Sequence, residues 1–221
     1  MKPHVSAIIF DLDGTLVDSL EDLADSVNVA LAEYSLPVHP LEPYRYFVGM
    51  GLDHLIHSAV PAGTPERLIA DVTARYRAEY SRTWSVKSRP YAGIPGMLER
   101  LAGMGIPMAV LSNKSRIFTG DFTRHFFPDT PFVAVAGSPE GGVAKPDPAM
   151  ALAIAEKMGL PPERIALMGD TRVDMETAAN AGMVSVGVLW GFRPESELVE
   201  YGAKVLLSRP DDLFERVLLN G

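Results

Sequence analysis

The sequence predicts an α/β protein built on a doubly wound parallel sheet, with a helical segment inserted after the first strand. Three observations lead there. Short apolar strand segments alternate with helical patterns over the C-terminal part of the chain. The first strand segment, Val5 to Phe10, is apolar almost throughout, as a strand buried on both faces must be. The interval from that strand to Pro107 carries helical periodicity and no strand candidate.

The elements follow in order. After Val5 to Phe10, strands are expected at Pro107 to Leu111, Phe132 to Ala136, Ile165 to Met168, Val184 to Leu189 and Lys204 to Leu207. Helices are expected at Pro95 to Met104, Ser115 to Phe126, Pro148 to Met158, Val173 to Ala181 and Pro194 to Glu200. Within the inserted interval, Leu20, Leu23, Ala24, Val27, Leu31 and Tyr34 repeat at helical spacing. Gly49-Met50-Gly51 breaks the pattern, and Leu52 to Val60 forms a second helix. A third starts at Pro65 with Thr64 as its cap, and runs through Leu68, Ile69, Val72 and Tyr76. Residues 17–83 are thus expected to fold as a helical domain of their own, inserted into a core made of residues 1–16 and 84–221. Two short linkers would join them as a hinge, with 85–93 returning the chain to the core.

Size and composition set limits. A chain of 221 residues fits one large domain or a domain with an insert. Its apolar runs are strand-length, short of the roughly 20 residues of a membrane span. Met1 to His4 lacks the apolar stretch of a signal peptide, so a cytoplasmic location is expected, with no membrane partner. The absence of cysteine excludes disulfides and thiolate metal sites. A net charge of −8 argues against nucleic acid as a partner. Any anionic substrate must then be met by local positive charge. The chain is expected to act as a monomer or homodimer.

The chemistry collects at strand ends. Val5 to Phe10 stops at Asp11-Leu12-Asp13-Gly14-Thr15, two carboxylates two residues apart at the edge of a core. Crowded like charges call for a cation, and Mg2+ suits hard oxygen ligands. Pro107 to Leu111 ends in Ser112-Asn113-Lys114, and Ile165 to Met168 ends in Gly169-Asp170-Thr171-Arg172-Val173-Asp174. Ligands of open parallel sheets bind at the carboxyl ends of the strands, so these groups should gather along one edge. In Ala144-Lys145-Pro146-Asp147-Pro148 the prolines restrict the backbone that carries Lys145. Asp18 and Ser19 read as a helix cap, Lys114 as a solvated lysine, and His54 and His57 as ordinary packing or surface residues. Trp190 is expected to pack the ends of the last strands, and the ten methionines to fill the core.

These four motifs, in this order, resemble those of the haloacid dehalogenase superfamily, and the resemblance spans nearly the whole chain. The helical insert is similar to that family's C1 cap, which implies a Rossmann-like core beneath a helical-bundle cap. Asp11-Leu12-Asp13-Gly14-Thr15-Leu16-Val17-Asp18-Ser19 and the late Val188-Leu189-Trp190-Gly191-Phe192-Arg193 look most like its phosphoglycolate phosphatases. The resemblance implies Asp11 as nucleophile, forming an aspartyl-phosphate, and Asp13 as general acid and base. It implies Mg2+ held by Asp11, the Asp13 carbonyl and Asp170, with Asp174 supporting the metal's waters or orienting Lys145. Ser112, the Asn113 N–H and Lys145 would bind the phosphoryl oxygens. Arg45 and Gly49 are candidate cap contacts with a small phosphorylated metabolite, 2-phosphoglycolate first.

Asp13 itself separates the branches of the superfamily, because the dehalogenases lack an acid two residues after the nucleophile. Ser19-Leu20-Glu21-Asp22 also lacks the histidine found there in the sugar-phosphate mutases. Pyrophosphatase and sugar-phosphate phosphatase or phosphomutase activities stay open on the same core chemistry. A catalytically inactive binding module is the alternative from outside enzymology, and the complete set of acids argues against it.

Overall fold

A computed structural model describes residues 2–138 and 142–220. Along the chain the elements are β1 (His4–Val5), β2 (Ala7–Phe10), β3 (Val17–Asp18), α1 (Leu20–Glu33), α2 (Leu41–Phe47), α3 (Leu52–Ala59), α4 (Glu66–Thr83), β4 (Arg89–Pro90), α5 (Ile94–Gly103), β5 (Met108–Ser115), α6 (Arg116–Phe126), β6 (Phe132–Ser138), α7 (Ala149–Met158), a 3-10 turn (Pro162–Arg164), β7 (Ile165–Gly169), α8 (Arg172–Ala181), β8 (Val184–Val188), α9 (Glu195–Glu200), β9 (Val205–Leu207), α10 (Asp212–Arg216) and β10 (Leu218–Leu219).

Six strands form one parallel sheet in the order β6-β5-β2-β7-β8-β9. The chain builds outward from β2 to β6, then crosses back to β7 on the other side. The sheet therefore changes direction beside β2, and a crevice opens at the strand ends there. Side chains alternate across the sheet with the period of two of a pleated strand. Ile8 and Phe10 join the core that includes Met97, Leu101, Phe122 and Leu213. Ala7 and Ile9 face the opposite layer, with Ala151, Ile154 and Ala178. Burial on both faces explains why β2 reads as one apolar run, and the doubly wound α/β fold is the one the sequence predicts.

Differences lie in short elements. The expected first strand divides at Ser6, whose N–H donates to the Arg164 carbonyl at 2.6 Å, while Val5 pairs with Leu219. The insert is not free of strand: Val17 and Asp18 pair antiparallel with Pro90 and Arg89, so the two chain connections to α1–α4 are stitched together. Helix α2 has no counterpart in the periodicity, yet its Tyr44 is fully buried and donates to Asn28 Oδ1 at 2.8 Å. Thr64 does not cap α4; its hydroxyl donates to the Pro61 carbonyl, and the helix starts at Glu66 after Pro65. Among the described residues no helix is long and apolar enough to cross a membrane.

Candidate active site

The site grows from the end of β2. Asp11 extends the ladder by one more bond, its N–H donating to the Met168 carbonyl at 2.8 Å. The chain then wraps tightly, and the Leu12 carbonyl accepts from the N–H groups of Thr15, Leu16 and Val17. Gly14 sits in the left-handed region at φ 83°, and a Cβ there would overlap the Asp170 carboxylate. Glycine is thus required twice at this position, by backbone conformation and by close approach.

Four of the expected residues meet at the strand ends. Lys145 Nζ stands 2.9 Å from Asp11 Oδ1 and 2.6 Å from Asp174 Oδ1. Oxygens of Asp11, Asp170 and Asp174 lie within 4.8 Å of one another, and all three residues are buried. Asp170 is held from two directions: Thr15 Oγ1 donates to its Oδ1 at 3.2 Å and the Phe192 N–H to its Oδ2 at 2.8 Å. Asp174 closes the first turn of α8, where its Oδ2 accepts from the Thr171 N–H and hydroxyl. With Lys145 on Oδ1, both of its oxygens are engaged, so it caps the helix and orients the lysine at once.

Lys145 follows a loop rather than a strand, and Asn113 fixes it there. The Lys145 N–H donates to Asn113 Oδ1 at 2.8 Å, and Asn113 Nδ2 donates to the Lys145 carbonyl at 3.0 Å. The Lys145–Pro146 bond is cis. Asn113 Nδ2 also donates to the Gly49 carbonyl at 3.0 Å, which brings the insert onto the same strand end. Arg45 reaches the core as well, its Nη1 donating to the Gly191 carbonyl at 3.3 Å. Ser112 is buried at the end of β5, and its Oγ accepts from the Lys114 N–H at 3.2 Å.

Asp13 stands apart from the carboxylate cluster. Its oxygens accept from Lys114 Nζ at 3.0 and 3.1 Å, and Oδ1 also accepts from the Ser19 hydroxyl. Lys114 is therefore not the solvated lysine expected, since its side chain is only 6% exposed. Ser19 does not use its hydroxyl to cap α1, although it occupies the cap position. Sequence reasoning missed both roles. The one signal available was that Lys114 immediately follows two residues assigned to the site.

Burial and charge make the cluster electrostatically unusual. Burial pushes the Asp11 carboxyl up to about 7; Lys145 opposes this and Asp174 adds to it. Asp170 is driven well above the carboxylate range by burial, then by Asp174 and Asp11, with the Phe192 N–H opposing. Burial disfavours the charged form of Lys145, but Asp11 and Asp174 outweigh it and raise its pKa. Two of the three buried carboxylates, Asp11 and Asp174, thus share one lysine. Asp11 Oδ1 makes its close contact with Lys145 Nζ, at 2.9 Å. An all-oxygen, electron-rich set of three buried carboxylates fits a hard divalent cation.

The profile of the haloacid dehalogenase-like hydrolase family matches residues 8–188. The chain is 34% identical to a phosphoglycolate phosphatase of Mannheimia succiniciproducens, covering 97% of this chain and 96% of that protein. It is 32% identical to one of Haemophilus influenzae, with the same coverage. A crystal structure from Lactobacillus delbrueckii subsp. bulgaricus, provisionally named a phosphoglycolate phosphatase, superposes with a TM-score of 0.90 at 26% identity over 99% of both chains.

Proposed function

Because the chain belongs to the haloacid dehalogenase-like hydrolases and is a phosphoric monoester hydrolase, we propose that it is a Mg2+-dependent phosphatase of a small phosphomonoester, 2-phosphoglycolate first. One observation carries the chemistry: Asp11 lies buried at a strand end, ion-paired to Lys145 and crowded by Asp170 and Asp174. The likeness to phosphoglycolate phosphatases over nearly the full chain supports the substrate.

In this mechanism an Asp11 carboxylate oxygen attacks phosphorus in line, forming the aspartyl O–P bond as the ester O–P bond breaks. Asp13 gives its proton to the departing alkoxide. As a carboxylate it then takes a proton from the water that attacks phosphorus, and the aspartyl O–P bond breaks to regenerate Asp11. Lys145 offsets charge on Asp11 and on the phosphoryl oxygens, and Asp174 holds it in place. Ser112 and the Asn113 N–H bind a phosphoryl oxygen. The Asp11 carboxylate, the Asp13 carbonyl and Asp170 would hold Mg2+, which supplies positive charge against the phosphoryl group.

Helices α1–α4, within residues 17–83, act as a cap domain that closes over the site, with Arg45 and Gly49 near the substrate. Closure limits the substrate to small molecules and excludes bulk water.

The test is a substrate panel with a metal control. 2-Phosphoglycolate should show a higher kcat/KM than pyrophosphate, β-glucose 1-phosphate or nucleoside monophosphates, and EDTA should stop turnover until Mg2+ is restored. A win of about tenfold for pyrophosphate or a sugar phosphate would overturn the substrate. Full activity in chelator would overturn the metal.

A further inference from the structure

The pair between Lys114 and Asp13 calls for an explanation. The two side chains are 6% and 12% exposed, and Nζ binds both carboxylate oxygens. Nζ also lies 4.5 Å from the ring centroid of Phe122 on α6 and 5.0 Å from that of Tyr80 on α4. A buried ion pair is a poor device for stability, since desolvating both charges offsets much of their attraction. An apolar side chain would fill the space between two aromatic rings at less cost. Charge at this position must serve something else.

The acceptor geometry shows what. A carboxylate offers about four lone-pair sites. On Asp13 three are engaged, Oδ1 by Ser19 and Lys114 and Oδ2 by Lys114 alone. Among the described residues one acceptor is left without a partner, on Oδ2. We infer that Lys114 is a positioning residue that holds the Asp13 side chain with the free side of Oδ2 presented to the hydrolytic water. This rests on the role proposed for Asp13 and adds the group that makes the second half-reaction efficient. The water's oxygen bonds to phosphorus, its proton passes to Asp13 Oδ2, and the Asp11 O–P bond breaks. Lys114 neither gains nor loses a proton. Its surroundings place it at the boundary of insert and core: Tyr80 belongs to α4, Phe122 to α6, and Ser19, which binds Asp13, stands at the start of α1.

p-Nitrophenyl phosphate isolates the step, because its leaving group departs without a proton. Its kcat/KM reports phosphorylation of Asp11, whereas its kcat includes release by water. Lys114→Met and Lys114→Gln should each lower kcat by about tenfold or more and leave kcat/KM within about threefold. The fraction of enzyme carrying phosphate after an acid quench, read by intact mass, should rise. Asp13→Asn should show the same pattern, and adding Lys114→Met to it should change nothing further.

Equal falls in kcat and kcat/KM would make Lys114 a phosphate-binding or structural residue and overturn the inference. So would an unchanged kcat, a further loss in the double variant, or failure of both Lys114 variants to fold. If Asp13→Asn itself keeps the kcat and phosphate content of the parent enzyme, the fault lies in the role given to Asp13, and the inference falls with it.

Discussion

At the scale of single residues, Asp11 is the most exposed to test. Asp11→Asn should reduce turnover by about a thousandfold or more, because the nucleophile is gone while the amide nearly matches its shape. The same change removes one of three carboxylates crowded together at the strand ends, so the metal-free variant should melt no lower than the parent at pH 8. Activity that survives the substitution would remove Asp11 as nucleophile. A linked expectation concerns pH. The Asp11 carboxyl is raised from 3.8 to about 7 on folding, and Asp170 is raised as well. Between those values the folded protein binds more protons than the unfolded chain, so without metal it loses stability as pH rises from about 4 to about 7. Lys145 is shifted at its own alkaline end and does not contribute in that window. A cation that binds the ionised carboxylates should reverse the loss. Added Mg2+ should therefore raise the melting temperature more at pH 8 than at pH 5.5, and an equal rise at both would contradict the cation site. The acids were legible because each lies in the short segment that follows an apolar strand. The pairing of Lys114 was not, because its partner lies 101 residues away in sequence and its aromatic neighbours come from two different helices.

At the scale of elements, the core strands and long helices were legible to within a few residues, because burial on both faces of a parallel sheet leaves uninterrupted apolar runs. Strands of two residues have no period to detect, so β3 and β4 were invisible, and they join the insert to the core. Helix α2, seven residues long with a proline inside its first turn, gave no pattern for the same reason. The end of β5 carries a stronger consequence. Asn113 binds the Lys145 backbone on both sides and the Gly49 carbonyl, three hydrogen bonds from one amide. Asn113→Ala removes all three and leaves buried main-chain groups unpaired, at a cost of about 1–3 kcal/mol for such a group. Lys145 would lose its fixed backbone as well. The variant should melt lower and lose about ten- to a hundredfold in kcat with its metal requirement intact, as steady-state rates and thermal denaturation can show. An unchanged kcat would mean that the loop holds Lys145 without Asn113.

At the scale of the whole molecule, a chain of net charge −8 must bind an anion at an edge where its cations are gathered. Lys145, Lys114, Arg45 and Arg193 all reach that edge, and the two arginines join insert to core. Arg193 Nη2 donates to the Val48 carbonyl at 3.2 Å and the Tyr46 carbonyl at 3.4 Å, its guanidinium lies 4.8 Å from the Tyr46 ring centroid, and its Nε pairs with Glu197 at 3.3 Å. The planar fork is what lets one side chain serve carbonyls, ring and carboxylate together. If the α1–α4 cap must part from the core to admit substrate, these contacts set how much of the population is closed. Arg193→Lys keeps the positive charge whose field lowers the pKa of Asp170, but gives up the fork. The closed state should become less populated while the reacting groups stay in place. Apparent affinity falls in proportion to the closed fraction, so KM for 2-phosphoglycolate should rise by about three- to tenfold. kcat should stay within about twofold, because saturating substrate restores closure. A loss confined to kcat would instead place Arg193 with the reacting groups. An unchanged KM would show that closure does not depend on this contact, leaving Arg45 on Gly191 and Asn113 on Gly49 as the bonds that hold the two parts together.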